Sequence, residues 1–174
     1  MLDAFFRPRA VAIIGASRER GKVGFSIVDN MLKSGFGRPI YPVNPKANEI
    51  EGLKCYADLA QVPDGVELAV LVIPPKACVP TLEVCAARGI KSAIVISAGF
   101  KEVGGEGVEI EKALRARVRE LGMRIVGPNC LGVIDTKSRL NATFAAGMPP
   151  VGEIGFFSQS GALCTAILDW AMGN

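Results

Sequence analysis

The chain has 174 residues, 49% of them hydrophobic, and a net charge of +3 with acids and bases interleaved. That length and apolar content suit one globular domain and part of another and exclude a disordered chain, while the weak charge, with no Lys/Arg block interleaved with aromatics, excludes a dedicated nucleic-acid binder. There is no histidine, so these residues alone complete no mechanism that needs a histidine base, a histidine metal ligand or a phosphohistidine.

Residues 10–14 form a continuous apolar run, as expected of a strand buried on both faces of a parallel sheet. Gly15-Ala16-Ser17 turns the chain, and a charged, glycine-punctuated loop follows. From Gly24 a helical pattern puts Phe25, Val28, Met31 and Leu32 on one face, until Gly35-Phe36-Gly37 stops it. Residues 40–43 are the second strand, ended by Asn44-Pro45-Lys46. Residues 47–65 are read as irregular, with a short extended piece at 53–56 and a helical turn at 58–61. Residues 68–73 are the third strand. The next helix is expected to begin near Pro80, because proline is tolerated in a first turn and not in the interior, and to end at Gly89. Residues 92–97 are the fourth strand. A glycine-bearing loop at 103–107 opens a long helix to about Leu121, and residues 123–126 are the fifth strand. Residues 133–144 read as an extended pair or excursion and 147–152 as a linker. Residues 154–157 read as a new strand, 158–161 as a turn and 162–172 as a helix.

Strand and helix thus alternate four to five times. This implies a parallel sheet with right-handed crossovers: an α/β, Rossmann-like, doubly wound domain over residues 1–146. Residues 151–174 read as the start of a second α/β domain of flavodoxin-like type. One strand and one helix cannot bury a sheet face alone, so this segment is expected either to belong to a longer protein or to be completed by a partner. The five cysteines are scattered, without a CxxC pair, and read as reduced, small apolar residues. The N-terminal MLDAFFRPRA lacks a basic stretch followed by a long apolar core, and no apolar run reaches membrane-spanning length. A cytoplasmic protein with no membrane partner is expected.

In an open parallel sheet, ligands bind beyond the carboxyl ends of the strands. Those ends read Gly15-Ala16-Ser17, Asn44-Pro45-Lys46, Pro74-Pro75-Lys76, Ser97-Ala98-Gly99-Phe100 and Pro128-Asn129-Cys130. Such residues let backbone N–H groups approach a ligand, although turns after strands are rich in them generally. The first loop matches neither standard phosphate cradle. GxGxxG would need a glycine at position 17, and a P-loop would need a hydroxyl residue where Val23 follows Lys22. What remains is a glycine turn, Ser17, cations at Arg18, Arg20 and Lys22, and a helix N-terminus that suits phosphate. A solvated basic loop is the competing reading. At the second strand end, an NAD site would carry Asp or Glu for the ribose hydroxyls. Asn44-Pro45-Lys46 points instead to a phosphorylated ribose, as in NADP or coenzyme A.

Glu102, Glu106, Glu109 and Glu111 read as a solvated acidic face at a helix start. Cys130, with no histidine to activate it, reads as a buried structural thiol. Ser158-Gln159-Ser160-Gly161 precedes a helix and is either an anion site or an ordinary N-cap. The residue order and the missing histidine separate it from a GxSxG nucleophile elbow.

Taken together, VAIIGAS with the GKVG that follows, YPVNPK, LAVLVIPP, AIVISAGFKEVG, RIVGPNCLG, LNATF and GFFSQSGAL resemble the CoA-binding part of nucleoside-diphosphate-forming acyl-CoA synthetases. The chain is most similar to the α portion of ADP-forming acetate–CoA ligases and more distantly to the α subunit of succinyl-CoA synthetase, in the family's order over nearly its whole length. The resemblance implies coenzyme A as the ligand. It would place Ser17 and Lys22, with Gly15, Ala16, Val23 and Gly24, near the CoA phosphates. Pro42, Asn44 and Lys46 would flank the adenosine and its ribose phosphate. Ile73, Pro74, Ser97, Ala98 and Gly99 would line the pantetheine path, and Asn129 and Cys130 would lie near the thiol. Ser158, Gln159, Ser160 and Gly161 would open the second domain and hold the phosphate of a phosphohistidine.

The family reaction interconverts acyl-CoA, ADP and phosphate with the free acid, CoA and ATP, through an acyl phosphate and a phosphorylated histidine. Neither that histidine nor a nucleotide-grasp domain is among these residues. The chain is therefore expected to bind CoA without turnover on its own. It is expected to work with the remainder of a ligase, in cis or as another subunit, and to form an oligomer. A regulatory module fused to a protein acetyltransferase, or a stand-alone CoA- or NADP-binding regulatory protein, would share these motifs.

Overall fold

A computed structural model describes residues 2–173. In chain order the elements are β1 (Val11–Ile14), α1 (Val23–Lys33), β2 (Ile40–Val43), the two-residue β3 (Glu49–Ile50) and β4 (Leu53–Lys54), β5 (Leu68–Leu71), α2 (Pro75–Ala87), β6 (Ser92–Val95), α3 (Glu106–Glu120), β7 (Arg124–Val126), β8 (Gly132–Asp135), β9 (Leu140–Thr143) and α4 (Gly161–Gly173). The apolar runs become a parallel sheet in the order β2-β1-β5-β6-β7. Tyr56 adds a one-residue parallel bridge to Val43 at the outer edge of β2. The chain leaves β1 toward one edge and returns on its other side at β5. The topological switch therefore lies between β1 and β5, where an open α/β sheet forms its ligand crevice.

Side chains alternate along a strand, so each strand feeds two cores. Val11, Ile13, Val70 and Ile94 pack with Ile27, Val28 and Met31 of α1. Ala12, Leu71 and Val95 pack with Leu82 of α2 and Leu114 of α3 on the other face. The register aligns Ala12, Ala69 and Ala93 across three strands, so α2 and α3 lie on a row of small side chains. The antiparallel hairpin β8–β9 takes the place of a helix on the α1 face, where Leu140 and Ala142 join the core. Full burial of each Ile or Leu in these layers is worth about 1.5–3 kcal/mol. The helical face expected for α1 is met at Phe25, Val28 and Met31, but Leu32 is exposed and Ile27 is buried in its stead.

Two expectations are corrected. The second helix begins at Pro75, five residues before Pro80, which sits inside it. Pro74 at the cap and Pro75 at the first helical position pre-set the helical entry. Buried Cys78, Leu82 and Cys85 then carry the helix through Pro80, against a local cost of about 3 kcal/mol. Residues 154–157 form no strand. Ile154 and Phe157 are 95% and 90% exposed. A strand needs a neighbour to take its N–H and C=O groups, and among the described residues none lies alongside. No described helix is long and apolar enough to cross a membrane.

Candidate functional site

Three strand ends meet at Gly15. Its N–H donates to the Val43 carbonyl (3.0 Å), and the Val72 N–H donates to the Ile14 carbonyl (2.8 Å). Gly15 has a left-handed φ of 89°, and a Cβ there would lie 2.1 Å from the Val72 oxygen. A Cβ on Gly24, in the first turn of α1, would lie 2.1 Å from the Gly15 oxygen. The turn and the helix start are therefore pressed together, backbone on backbone, at the switch point. This is the close approach for which dinucleotide-binding folds use glycine, reached here with a different spacing. No side chain caps the N-termini of α1, α2 or α3. The first N–H groups of α1 have no intrahelical acceptor and point, with the positive end of the helix dipole, at the loop of residues 16–22.

Ala16 is fully buried. Ser17 Oγ accepts from the Glu19 N–H (3.0 Å), and Lys22 is exposed and pairs loosely with Glu19 (3.7 Å). Asn44 holds this loop to the end of β2: its Nδ2 donates to the Ala16 carbonyl (2.7 Å) and its Oδ1 accepts from the Lys46 N–H (2.8 Å). Arg18 donates to the Lys46 carbonyl (3.3 Å). The Lys46 ammonium is exposed, with no carboxylate partner among the described residues. Pro42 is buried within β2, and its carbonyl accepts from Tyr56.

A cavity of about 630 Å³ opens along the other strand ends. Val23, Ile73, Pro74, Ser97 and Ala98 line it, and so do Asn129 and Cys130 beyond β7. Gln159 and Gly161 close one side. Ser97 is buried and works as a clasp: its Oγ accepts from the Ile73 N–H (3.1 Å), and its carbonyl accepts from the Asn129 N–H (3.0 Å). Asn129 itself is left-handed, with φ 53°. Gly99 lies outside this cavity, in a neighbouring hollow against Pro74, Pro75 and the start of α3. Ser160 is the cap of α4, its Oγ accepting from the Leu163 N–H (3.2 Å), while Ser158 Oγ accepts from the Ser160 N–H (3.0 Å). Ile96, Leu131, Phe144 and Thr165 also line the cavity and were not site candidates from the sequence. Thr165 is one helical turn beyond Gly161, so its spacing from the serine-glycine turn was the available clue.

The acidic face is not uniformly solvated. Glu102 accepts from the N–H groups of Gly99 and Phe100. Burial opposes ionisation there, but those two donors and the Lys101 charge hold its carboxyl below the usual range. The loop donors beside Gly99 are thus already occupied by the protein's own carboxylate. Glu111 is buried and is ion-paired with Arg115 (3.2 Å) and Lys101 (3.6 Å). Glu111 alone corrects the solvated reading, because α3 turns it inward beneath the loop that Glu102 caps; Glu102, Glu106 and Glu109 are exposed as expected.

Burial pushes the Cys130 thiol up to about 11, against the opposing Gly132 N–H, and its Sγ donates to the Val95 carbonyl (3.4 Å). Little thiolate exists at neutral pH, so this is no nucleophile. At pH 8, iodoacetamide should alkylate Cys130 about 100-fold more slowly in the folded chain than in urea-unfolded chain. Cys130 is only half-buried and lines the cavity, so equal rates, read by peptide mass spectrometry, would refute the raised thiol pKa.

A glycine-pressed turn, uncapped helix starts, exposed cations and a long cavity along the strand ends define a binding domain for an extended phosphorylated ligand. The chain matches the family described as CoA binding domain over residues 9–136, and it belongs to that family. Coenzyme A is its ligand, and the open, cationic switch point with a cavity leading away from it fits that long anionic molecule. The chain is 47% identical over 94% of its length to an ADP-forming acetate–CoA ligase of Methanocaldococcus jannaschii, covering 23% of that protein. It is 41% identical over 93% of its length to an ADP-forming 4-hydroxybutyrate–CoA ligase of Nitrosopumilus maritimus, also covering 23%. An acetyl-coenzyme A synthetase 1 from Ca. Korarchaeum cryptofilum, solved with phosphate and ADP, superposes on 99% of the chain with a TM-score of 0.93 at 41% identity; the match covers 37% of that chain. The chain thus spans well under half the length of the curated relatives it matches.

Proposed function

We propose that this chain is the CoA-binding portion of an ADP-forming acyl-CoA synthetase, which joins a carboxylic acid to CoA at the expense of ATP. The observation that carries the reading is that the cavity reaching Asn129 and Cys130 starts beside the Gly15–Gly24 cradle: its lining includes Val23, next to Gly24, and Val72, whose carbonyl packs on Gly15. In this reading the uncapped start of α1, with Ser17 and Lys22, receives the pyrophosphate. Lys46 faces the ribose phosphate. Ile73, Pro74 and Ala98 flank the pantetheine, while Asn44 and Ser97 act by fastening the strand ends that bear the ligand. CoA supplies the thiol that accepts the acyl group, and this chain's residues bind and orient it.

Residues 151–174 open a second α/β domain, whose further elements would cover Ile154, Phe156 and Phe157. The start of α4, with Gln159 and Gly161 on the cavity, would bring a phosphoryl group toward the thiol end. No residue of this chain carries that group as a phosphohistidine, so the remaining ligase parts would supply it, in cis or as another subunit.

Calorimetric titration of the chain with CoA, dephospho-CoA and NADP tests the reading. CoA is expected to bind about tenfold or more tightly than dephospho-CoA, one charge-assisted phosphate contact being worth about 1.5–3 kcal/mol. Tighter binding of NADP would overturn the assignment. So would acetyl-CoA formation from acetate and ATP by the chain unaided, as far as the division of labour is concerned.

A further inference from the structure

One wall of the cavity is not explained by holding CoA. Phe144 follows β9 and is 42% exposed, whereas Asn141, Ala142, Thr143 and Ala145 around it are buried. The exposure is not looseness. Asn30 on α1 donates through Nδ2 to the carbonyls of Thr143 (2.9 Å) and Ala145 (2.8 Å), gripping the backbone on both sides of Phe144. Thr143 Oγ1 donates to Asn141 Oδ1 (2.6 Å) and accepts from the Ala145 N–H (3.3 Å). Asn141 Nδ2 reaches the Gly147 carbonyl (2.8 Å). A buried, fully satisfied polar network thus fixes a large aromatic residue that gains little from the core. Its ring lines the same cavity as Asn129, Cys130 and Leu131 on one side and Gln159 and Thr165 on another.

We propose that Phe144 is a size gate at the thiol end of the site, one that admits small aliphatic acyl groups and rejects aryl ones. The proposal rests on the CoA reading above, in which the thiol points toward Asn129 and Cys130. A ring on a backbone held this firmly limits the space left at that end for whatever the thiol carries, and removing it opens the cavity without disturbing the adenosine end. Relatives of similar identity are named for acetate, for 4-hydroxybutyrate and for the aryl group of feruloyl-CoA, so aliphatic and aryl acids are told apart between such chains and a discriminating wall is needed somewhere along the acyl path.

The test is binding of CoA, acetyl-CoA and phenylacetyl-CoA to the chain, as wild type, Phe144→Ala and Phe144→Trp. Wild type is expected to bind phenylacetyl-CoA about tenfold or more weakly than acetyl-CoA, Phe144→Ala to bring that ratio within about threefold, and Phe144→Trp to widen it. The ratio is taken within each protein, so a change in affinity for the CoA moiety shared by both acyl-CoAs cancels. An unselective wild type, or an unchanged ratio in Phe144→Ala with CoA binding intact, overturns the gate and leaves the CoA reading standing. Failure of the wild type to bind CoA overturns that reading and the gate with it.

Discussion

Gly24→Ala is expected to destabilise the domain by about 3 kcal/mol or more, a large share of the 5–15 kcal/mol that holds such a domain together. The added Cβ would meet the Gly15 oxygen at 2.1 Å and its carbon at 3.1 Å, both backbone atoms. No side-chain rotation relieves that contact. Either α1 moves off the sheet or the Gly15 turn moves away from Val72, and each movement also widens the crevice. Gly21→Ala is the informative control. Gly21 has a φ of 86°, but open space surrounds it, so only backbone strain of about 1–2 kcal/mol is expected. Urea unfolding followed by far-ultraviolet circular dichroism separates the two. A Gly24→Ala variant no less stable than Gly21→Ala would mean that helix and turn are not packed as described.

Lys46→Glu is expected to weaken CoA by about 10- to 100-fold while changing dephospho-CoA by much less, since in the proposed reading a charge-assisted phosphate contact is lost and a repulsion replaces it. The Lys46 ammonium has no carboxylate partner among the described residues, and the local turn is held by its backbone N–H on Asn44. The fold should therefore survive the change. The difference between the two ligands should shrink as salt rises, because the contact is exposed and screened. Equal loss for both ligands would remove Lys46 from the ribose phosphate and return that strand end to solvated surface.

Much of the fold was readable because its signals are local. The runs read at residues 10–14, 68–73 and 92–97 became β1, β5 and β6, each a four-residue strand buried along its whole length. The lysine after β2 and the failure of both glycine motifs narrowed the ligand before any geometry was known. The site was legible only as a set of strand ends. The resemblance implies that Asn44 and Ser97 lie beside the ligand; Ser97 lines the cavity, and in the structure both side chains hold backbone partners. Glu111 looked solvated because its neighbours in sequence are charged, and only the docking of α3 turned it inward. Phe144 closes the LNATF segment that carries the family resemblance, but no role at the site came with it, since an aromatic after a strand reads as core.

The sequence by itself determined the alternation of strands and helices, the places where the chain must turn tightly, and the absence of an imidazole. These depend on side-chain periodicity, backbone freedom and residue identity, all of which act within a few positions. The tertiary structure alone decided that Gly15 and Gly24 press against each other, that Pro80 rides inside α2, that residues 154–157 stay unpaired and that Phe144 faces the cavity. Each of those depends on which distant backbone arrives alongside, and contact between residues far apart in the chain is set by the packing of the whole sheet.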